Sequence, residues 1–313
     1  MIALQISQAS SARTGKNDFV GNLMLKFNMA GHIVDWDGLR SGPISTTDAA
    51  TQLMEGVLDS GALVPVAEVQ DVFDNLAQTP SIISAFVMVG STNIPLLEPF
   101  ALARETNLSR LIADALLWEA RNILDKSSVI AFTNIGGIRD DISGPNIIRL
   151  SIQSCLPFNN GIVILEVTLG QLLASMENGI STGDGVSGRY PTVAGVRFEF
   201  DVSQPGLAGE ELVSKPSRIK SLVLLSEDND EEEEVLIDDF IVVDGALDRT
   251  FTVATNSYLA GGGDQMLGFE AAKEIQQLDK REQQILEDYI TMELGGIVDI
   301  PDPPTQPRVV SVG

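Results

Sequence analysis

The spacing of apolar residues changes several times along this chain, and each change marks an element. Phe19 to Trp36 (FVGNLMLKFNMAGHIVDW) alternates apolar and polar positions around a glycine-containing turn, which predicts a β-hairpin. Thr46 to Leu76 carries an Ala/Leu/Val/Met pattern between polar caps and reads as helical. Ser81 to Gly90 is continuous and β-branched, the pattern of a buried strand. From Asn107 to Asp125 the period is helical. Leu108, Leu111, Ile112, Ala115, Leu116, Ile123 and Leu124 share one face, and Thr106 is placed to cap it. Short strands are predicted at Ser128–Thr133 and Gly161–Val167. A helix follows the second, capped by Thr168 and closed by a left-handed Gly179.

From Gly195 the period becomes two, with Val196, Phe198 and Phe200 alternating with Arg197, Glu199 and Asp201. Further strands are predicted at Ile219–Leu225, Phe240–Val243 and Phe251–Thr255. Glu270–Leu294 reads as a long amphipathic helix, and Pro301–Gly313, with four prolines, as an extended tail. Helices and strands interleave without a regular βαβ repeat. That order predicts an α+β fold of mixed sheets layered with helices, with a domain boundary near the break at Pro95–Pro99.

Composition limits what such a fold can serve. The 313 residues carry a formal net charge of −24 and are 44% hydrophobic, enough for one large core or two ordinary ones. So acidic a surface repels nucleic acid and anionic membranes, and an anionic ligand needs a local cluster of positive groups. The acidic run Glu227–Glu234 (EDNDEEEE) reads as a solvated loop insertion between strands, since contiguous carboxylates repel one another. No stretch approaches the ~18 consecutive apolar residues of a transmembrane helix. The N-terminal MIALQISQASSARTGK lacks the basic and apolar regions of a signal peptide.

Catalytic machinery is sparse. Cys155 is the single cysteine, beside Leu156 and Pro157, and reads as a small buried hydrophobe. His32 is the single histidine, in a turn-like MAGHIV, so a dinuclear metal site or a Cys-His or Ser-His-Asp arrangement is not supported; no G-x-S-x-G context occurs. Binding chemistry is better represented. Gly136, Gly137 and Arg139 follow a predicted strand, where glycines permit close backbone approach and an arginine can make paired hydrogen bonds to phosphate or carboxylate. Asn134 can bond a sugar hydroxyl. Phe158 and Tyr258 stand in turn-like polar surroundings, as stacking faces for a base, and Asp264 follows three glycines, where it can accept from ribose hydroxyls. Taken singly, each has an equally good plain explanation: a Gly-Gly turn, a plug at a strand end, a turn aspartate.

Their order removes that equality. RETNLSRLIADALL, TNIGGIRDDISGP, LPFNNGIVILEVTLGQLLASME and TVATNSYLAGGGDQM, in this sequence, resemble the C-terminal domain of the 5′-nucleotidase family, which includes UDP-sugar hydrolases. The resemblance covers about Ala101 to Leu278. It implies a domain at 99–300 that binds the nucleoside part of a substrate, a linker and helical segment at 44–98, and a tail at 301–313. Met1 to about Pro43 is similar to the end of the family's N-terminal metallophosphoesterase domain, which carries two divalent metals and performs the hydrolysis. By resemblance Phe158 and Tyr258 sandwich the base and Asn160 contacts it. Asp264 binds the ribose hydroxyls, while Asn134, Gly136, Gly137 and Arg139 line the same pocket, the arginine on the phosphate side.

There are departures. Ile135 stands where the family has a third glycine, Leu102 where it has a second arginine, with Arg104 out of register, and Tyr258 where it more often has phenylalanine. The metal-ligand motifs do not occur. The expectation is therefore a nucleotide- or nucleoside-binding portion of a phosphoester hydrolase that holds no metal of its own and is inactive alone. A metallophosphoesterase domain would then be its partner in a longer protein. A stand-alone non-catalytic binding module and a degenerate family member are the alternatives. The family is often periplasmic, secreted or cell-surface, and the sequence leaves the compartment open.

Overall fold

The computed structural model describes residues 2–5, 19–27, 33–36, 42–45, 75, 77–99, 104–124, 129–183, 187–226 and 231–312. The chain divides into two compact units, Met1–Ile82 and Ile83–Gly313. In the first, β1 (Ile2–Gln5), β2 (Phe19–Phe27), β3 (Ile33–Trp36) and β4 (Gly42–Ser45) form one sheet in which β2 pairs antiparallel with the other three. The hairpin read from Phe19–Trp36 is β2 with β3, Leu25 lying opposite Trp36. His32 and the helical reading of Thr46–Leu76 lie outside the described residues apart from Asn75.

Helix α1 (Pro80–Ala85) spans the division between the units. The second unit continues with β5 (Met88–Thr92), α2 (Asn107–Leu124), β6 (Val129–Asn134), β7 (Asn146–Ile148), α3 (Arg149–Cys155), β8 (Gly161–Thr168) and α4 (Leu169–Gly179). Then come β9 (Pro191–Ala194), β10 (Val196–Asp201), β11 (Ile219–Leu225), β12 (Glu232–Asp238), β13 (Ile241–Val242) and β14 (Thr250–Asn256). The chain closes with α5 (Ser257–Ala260), α6 (Leu267–Glu270), β15 (Lys273–Arg281), α7 (Glu282–Asp288), β16 (Ile297–Val298) and β17 (Val309–Val312). This is the mixed-sheet α+β architecture expected, with five-stranded sheets ordered β15-β8-β14-β6-β9 and β13-β12-β11-β10-β17 and a three-stranded sheet β16-β5-β7. No described helix is long and apolar enough to cross a membrane.

The sheet containing β6, β8 and β14 is covered on both faces, which explains why its strands are apolar without alternation. Ile130, Phe132, Val163, Leu165 and Val253 pack with Leu172, Leu173 and Met176 of α4 and Phe198 and Leu222 of the second sheet. Their neighbours Val129, Ala131, Ile162, Ile164 and Ala254 face Leu111, Ala115 and Leu116 of α2 and Ile285 of α7. Successive side chains of a strand point to opposite faces, so each strand feeds both cores. Thr168 makes the capping box of α4, accepting from Gln171 N–H while Gln171 Oε1 accepts from Thr168 N–H at 2.9 Å. Thr106 caps α2, its Oγ1 accepting from Ser109 N–H at 3.2 Å.

Five sequence readings are corrected. Ser81–Gly90 is a buried strand only at its end, where β5 begins at Met88: Pro80 opens α1, its fixed φ suiting a first helical turn, and Ile83, Phe86, Val87 and Met88 are exposed. Glu270–Leu294 is not one helix. Lys273–Arg281 pairs antiparallel with β8 as an edge strand, and only then does α7 begin. Leu278 is the one buried residue of that strand, so its side chains give no period-two signal and the pairing of its backbone decides its form. The acidic run is not all loop, because Glu232 and Glu234 belong to β12, where Arg197 and Arg249 meet them. Helix α4 ends through Ile180 at φ −100°, and the left-handed glycine comes later, at Gly183. On α2, Ile123 is exposed rather than on the buried face.

The Glu105-Thr106-Asn107 segment is a buried staple. Asn107 Oδ1 accepts from Leu97 N–H at 2.9 Å, and its Nδ2 donates to the carbonyls of Pro95 and Ile300 at 2.9 and 3.1 Å. Glu105 accepts from Arg110 Nε at 2.8 Å and from the Arg308 N–H. Arg104 is paired with Asp302.

Candidate functional site

Strands β6 and β14 run parallel, with Phe132 beside Thr255, so both reach their C-terminal ends at the same side of the sheet. Strand β8 is antiparallel to β14, with Ile162 beside Asn256, so it begins on that side. The segments after β6, before β8 and after β14 are therefore neighbours although they are distant in sequence. Together they enclose a cavity of about 360 Å³ lined by Asn134, Gly136, Gly137, Arg139, Phe158, Asn160, Tyr258 and Asp264, with Gly188. The eight residues singled out from the sequence thus share one cavity, of a size suited to a small ligand.

Each segment is fixed by bonds that leave a particular group facing the cavity. After β6 the backbone makes a short 3₁₀ turn, Ile135–Gly137. Gly136 sits against the 187–190 loop. Its N–H donates to Gly188 O at 2.8 Å, and a Cβ there would lie 2.8 Å from the same oxygen. The glycine is required for this contact, and its N–H is not available to an anion. Ile135 is buried in the first core and stays out of the left-handed region, so the missing family glycine costs no backbone strain. Arg139 N–H donates to Cys155 O at 2.8 Å, tying this turn to the end of α3. The Arg139 side chain is exposed and has no carboxylate partner among the described residues; its one bond is a long one, 3.5 Å, to Gly136 O. Arg104, held by Asp302, does not stand in for a second cavity arginine, and Leu102 lies outside the described residues.

Asn134 is oriented from two sides. Its Oδ1 accepts from Asn256 Nδ2 at 3.3 Å, and its Nδ2 donates to Gly188 O at 3.0 Å and Asp264 Oδ2 at 2.9 Å. Asn256 in turn caps α5, its Oδ1 accepting from Leu259 N–H at 2.9 Å. Asp264 is in the left-handed region at φ 56°, a conformation that short polar side chains tolerate. Tyr258 holds it there: the hydroxyl donates to Asp264 Oδ1 at 2.9 Å and accepts from Asp264 N–H at 3.2 Å. Burial, and then the Asp264 carboxylate, raise the Tyr258 phenol above its ordinary range, so it remains a donor. Each Asp264 oxygen has one protein donor and keeps a lone pair for a ligand. Gly263 lies under the Tyr258 ring, where a Cβ would come within 2.6 Å of ring carbons.

Phe158 and Asn160 are carried by the loop between α3 and β8. Asn159, at φ 44°, turns the chain between them. Asn160 is tied to Glu282, whose Oε1 accepts from Asn160 N–H at 2.9 Å. Phe158 is 60% exposed and Tyr258 49% exposed, and unlike the exposed Phe86 both line one cavity. Cys155 is fully buried, and burial pushes its thiol far up, away from thiolate chemistry. Among the described residues no three His, Cys, Asp or Glu side chains come together to hold a metal ion, and Asp264 is already engaged by amide and hydroxyl donors. The donor set at this cavity does not fit a dimetal centre. Asn256, Gly188 and Glu282 were missed from the sequence. Asn256 lay within a quoted motif, whereas Gly188 and Glu282 carry no local signature.

The fold and cavity define an α+β domain with two exposed rings, a carboxylate and a guanidinium without a carboxylate partner among the described residues around one opening. The family model for the 5′-nucleotidase C-terminal domain matches residues 88–274, more than half of the chain, and the chain belongs to that family. It is 29% identical over 161 residues to the trifunctional nucleotide phosphoesterase protein YfkN of Bacillus subtilis, covering 51% of this chain and 10% of that protein. It is 23% identical over 285 residues to the protein 5NUC of Lutzomyia longipalpis, covering 87% of this chain and 44% of that one. The solved 5′-nucleotidase precursor of Thermus thermophilus superposes with a TM-score of 0.64 at 23% identity, over 95% of this chain and 50% of its own. The chain therefore spans half or less of the length of these relatives.

Proposed function

We propose that the second unit is the nucleoside-recognising portion of a 5′-nucleotidase-like phosphoester hydrolase acting in nucleotide breakdown. In this reading the base stacks between Phe158 and Tyr258, and Asn160 meets its edge. Asp264, with Asn134 behind it, accepts from the ribose hydroxyls. Arg139 lies on the phosphate side, where its free guanidinium offsets the repulsion of a strongly acidic surface. Metal-assisted hydrolysis belongs to a metallophosphoesterase domain in a longer protein, because positioned ligands and a nucleophile-activating base are needed for it.

The observation that supports this best is the convergence on one cavity of two solvent-facing rings with a carboxylate that has only one protein donor on each oxygen. The experiment is a calorimetric titration of AMP and adenosine into the full chain beside Phe158→Ala. Stacking contributes roughly 1–3 kcal/mol per base in single-strand binders, so the variant should bind about fivefold or more weakly. Equal affinities for variant and wild type would remove the base clamp. Phosphate release from AMP by this chain with added Zn²⁺ or Mn²⁺ would overturn the assignment of hydrolysis to another domain.

A further inference from the structure

The loop bearing Phe158 and Asn160 is held from behind by three consecutive residues at the junction of β15 and α7. Arg281 Nη1 donates to Asn159 O at 2.9 Å, and Gln283 Nε2 donates to Leu156 O at 2.7 Å. Between them Glu282 exchanges several bonds with one residue. Its N–H donates to Asn160 O at 3.1 Å, and its Oε1 accepts from Asn160 N–H at 2.9 Å. Asn160 Nδ2 lies 3.3 and 3.5 Å from the two carboxylate oxygens. Glu282 is 6% exposed and has no cationic partner among the described residues, so its charge is offset by Asn160 and by the start of α7.

That arrangement decides which end of the Asn160 carboxamide faces the ligand. A carboxylate accepts only, so the nitrogen must turn toward it. Asn160 lines the cavity, and its Oδ1 makes no bond to any described residue. We propose that Glu282 is a specificity-positioning residue: by holding the Asn160 amide nitrogen it presents Oδ1 as an acceptor, so the pocket prefers a base edge bearing an exocyclic amine over one bearing a carbonyl. The proposal rests on the nucleoside reading above. Glutamine at 282 reverses the logic. Its Oε1 can keep the Asn160 N–H while its Nε2 donates to Asn160 Oδ1, which turns the Asn160 NH₂ to the cavity.

Burial pushes the Glu282 carboxyl up to about 7, so the test is run at pH 8, where the carboxylate is ionised. Adenosine and inosine, which differ in this edge, are titrated into the full wild-type chain, Glu282→Gln and Asn160→Ala, with thermal melts beside them. The wild type should prefer adenosine. Glu282→Gln should lower the adenosine-to-inosine affinity ratio roughly tenfold, the scale of exchanging one hydrogen bond for a mismatch. Asn160→Ala should abolish the preference, which also covers the case of a Glu282→Gln protein that melts early. An unchanged ratio in Glu282→Gln, equal weakening of both nucleosides, or a preference that survives Asn160→Ala would each overturn the proposal and leave Glu282 a helix-end anion. If neither nucleoside binds a folded wild type, the nucleoside reading itself fails and this proposal with it.

Discussion

Glu105–Asn107 and the rim of the cavity both belong to motifs by which this family is recognised, yet they treat polar atoms in opposite ways. Asn107 is fully buried, with every side-chain atom bonded to backbone of the 95–97 and 300 segments. Around the cavity, Arg139 is unpaired among the described residues, Asp264 keeps spare lone pairs, and Phe158 is mostly solvent-facing. Groups that are satisfied internally contribute stability, and groups left open at large exposed rings are available to a ligand. The two regions should therefore separate cleanly when mutated. Asn107→Ala strands two part-buried carbonyls and two N–H groups, those of Leu97 and Leu108, and should cost roughly 3–5 kcal/mol in urea denaturation. Phe158→Ala should change stability by less than about 0.5 kcal/mol while weakening nucleoside binding. Comparable losses of stability at the two positions would erase the distinction.

Glu282 sits on the line between the two regions, being buried like the staple but bonded to a cavity residue. Its folded-state carboxyl titrates near 7 because burial disfavours the charge, against an ordinary value of 4.5. A raised carboxyl pKa means the folded state binds its proton more tightly than the unfolded chain. The associated stability is present below pH 4.5 and lost as pH rises through 7. The scale is about 3 kcal/mol at 1.36 kcal/mol per unit. Other carboxylates act in the opposite direction: Asp302 is held below its usual range by Arg104, so its contribution is lost at low pH. The measurement is thus the difference between wild type and Glu282→Gln in urea midpoint from pH 4.5 to 8. The variant should gain on the wild type as pH rises, and a flat difference would show that the carboxylate is better solvated than its burial implies.

The same division explains what could be read from the sequence. The α4 capping box and the Val196/Phe198/Phe200 alternation were legible because local chemistry and tertiary burial agree there. The cavity residues were legible as ordered motifs, although their meeting depends on strand direction: β6 and β14 parallel, β8 antiparallel to β14. Strand β15 was not legible. KEIQQLDKR has the composition of a helix surface, and it becomes a strand because β8, more than a hundred residues earlier, offers it backbone partners. Glu282 was hidden for a related reason. Its partner Asn160 is 122 residues away, and an isolated glutamate at a helix start resembles any other. Residues that touch a ligand carry type and spacing, whereas residues that orient them carry only position.

The finest cut through the cavity is at Tyr258, where the proposed stacking and the positioning of Asp264 meet in one side chain. Its ring is half-exposed and its hydroxyl is bonded to both Asp264 Oδ1 and Asp264 N–H. Tyr258→Phe, which restores the residue more usual in the family, keeps the ring and removes only those bonds. Asp264 then holds its left-handed conformation with Asn134 Nδ2 as its remaining side-chain partner, and its carboxylate should sample other positions. The bond to the carboxylate, the one of the two that orients it toward a ligand, is worth about 0.5–1.5 kcal/mol, so adenosine affinity should fall about two- to tenfold. Adenine has no ribose to meet Asp264, and its affinity should stay unchanged. Calorimetry with both ligands distinguishes the cases: equal weakening would mean the hydroxyl supports the ring rather than the carboxylate. An unchanged affinity for adenosine would mean that Asn134, with Asn178 Nδ2 donating to Asp264 O at 2.9 Å, suffices to hold Asp264, and that the tyrosine hydroxyl is incidental to recognition.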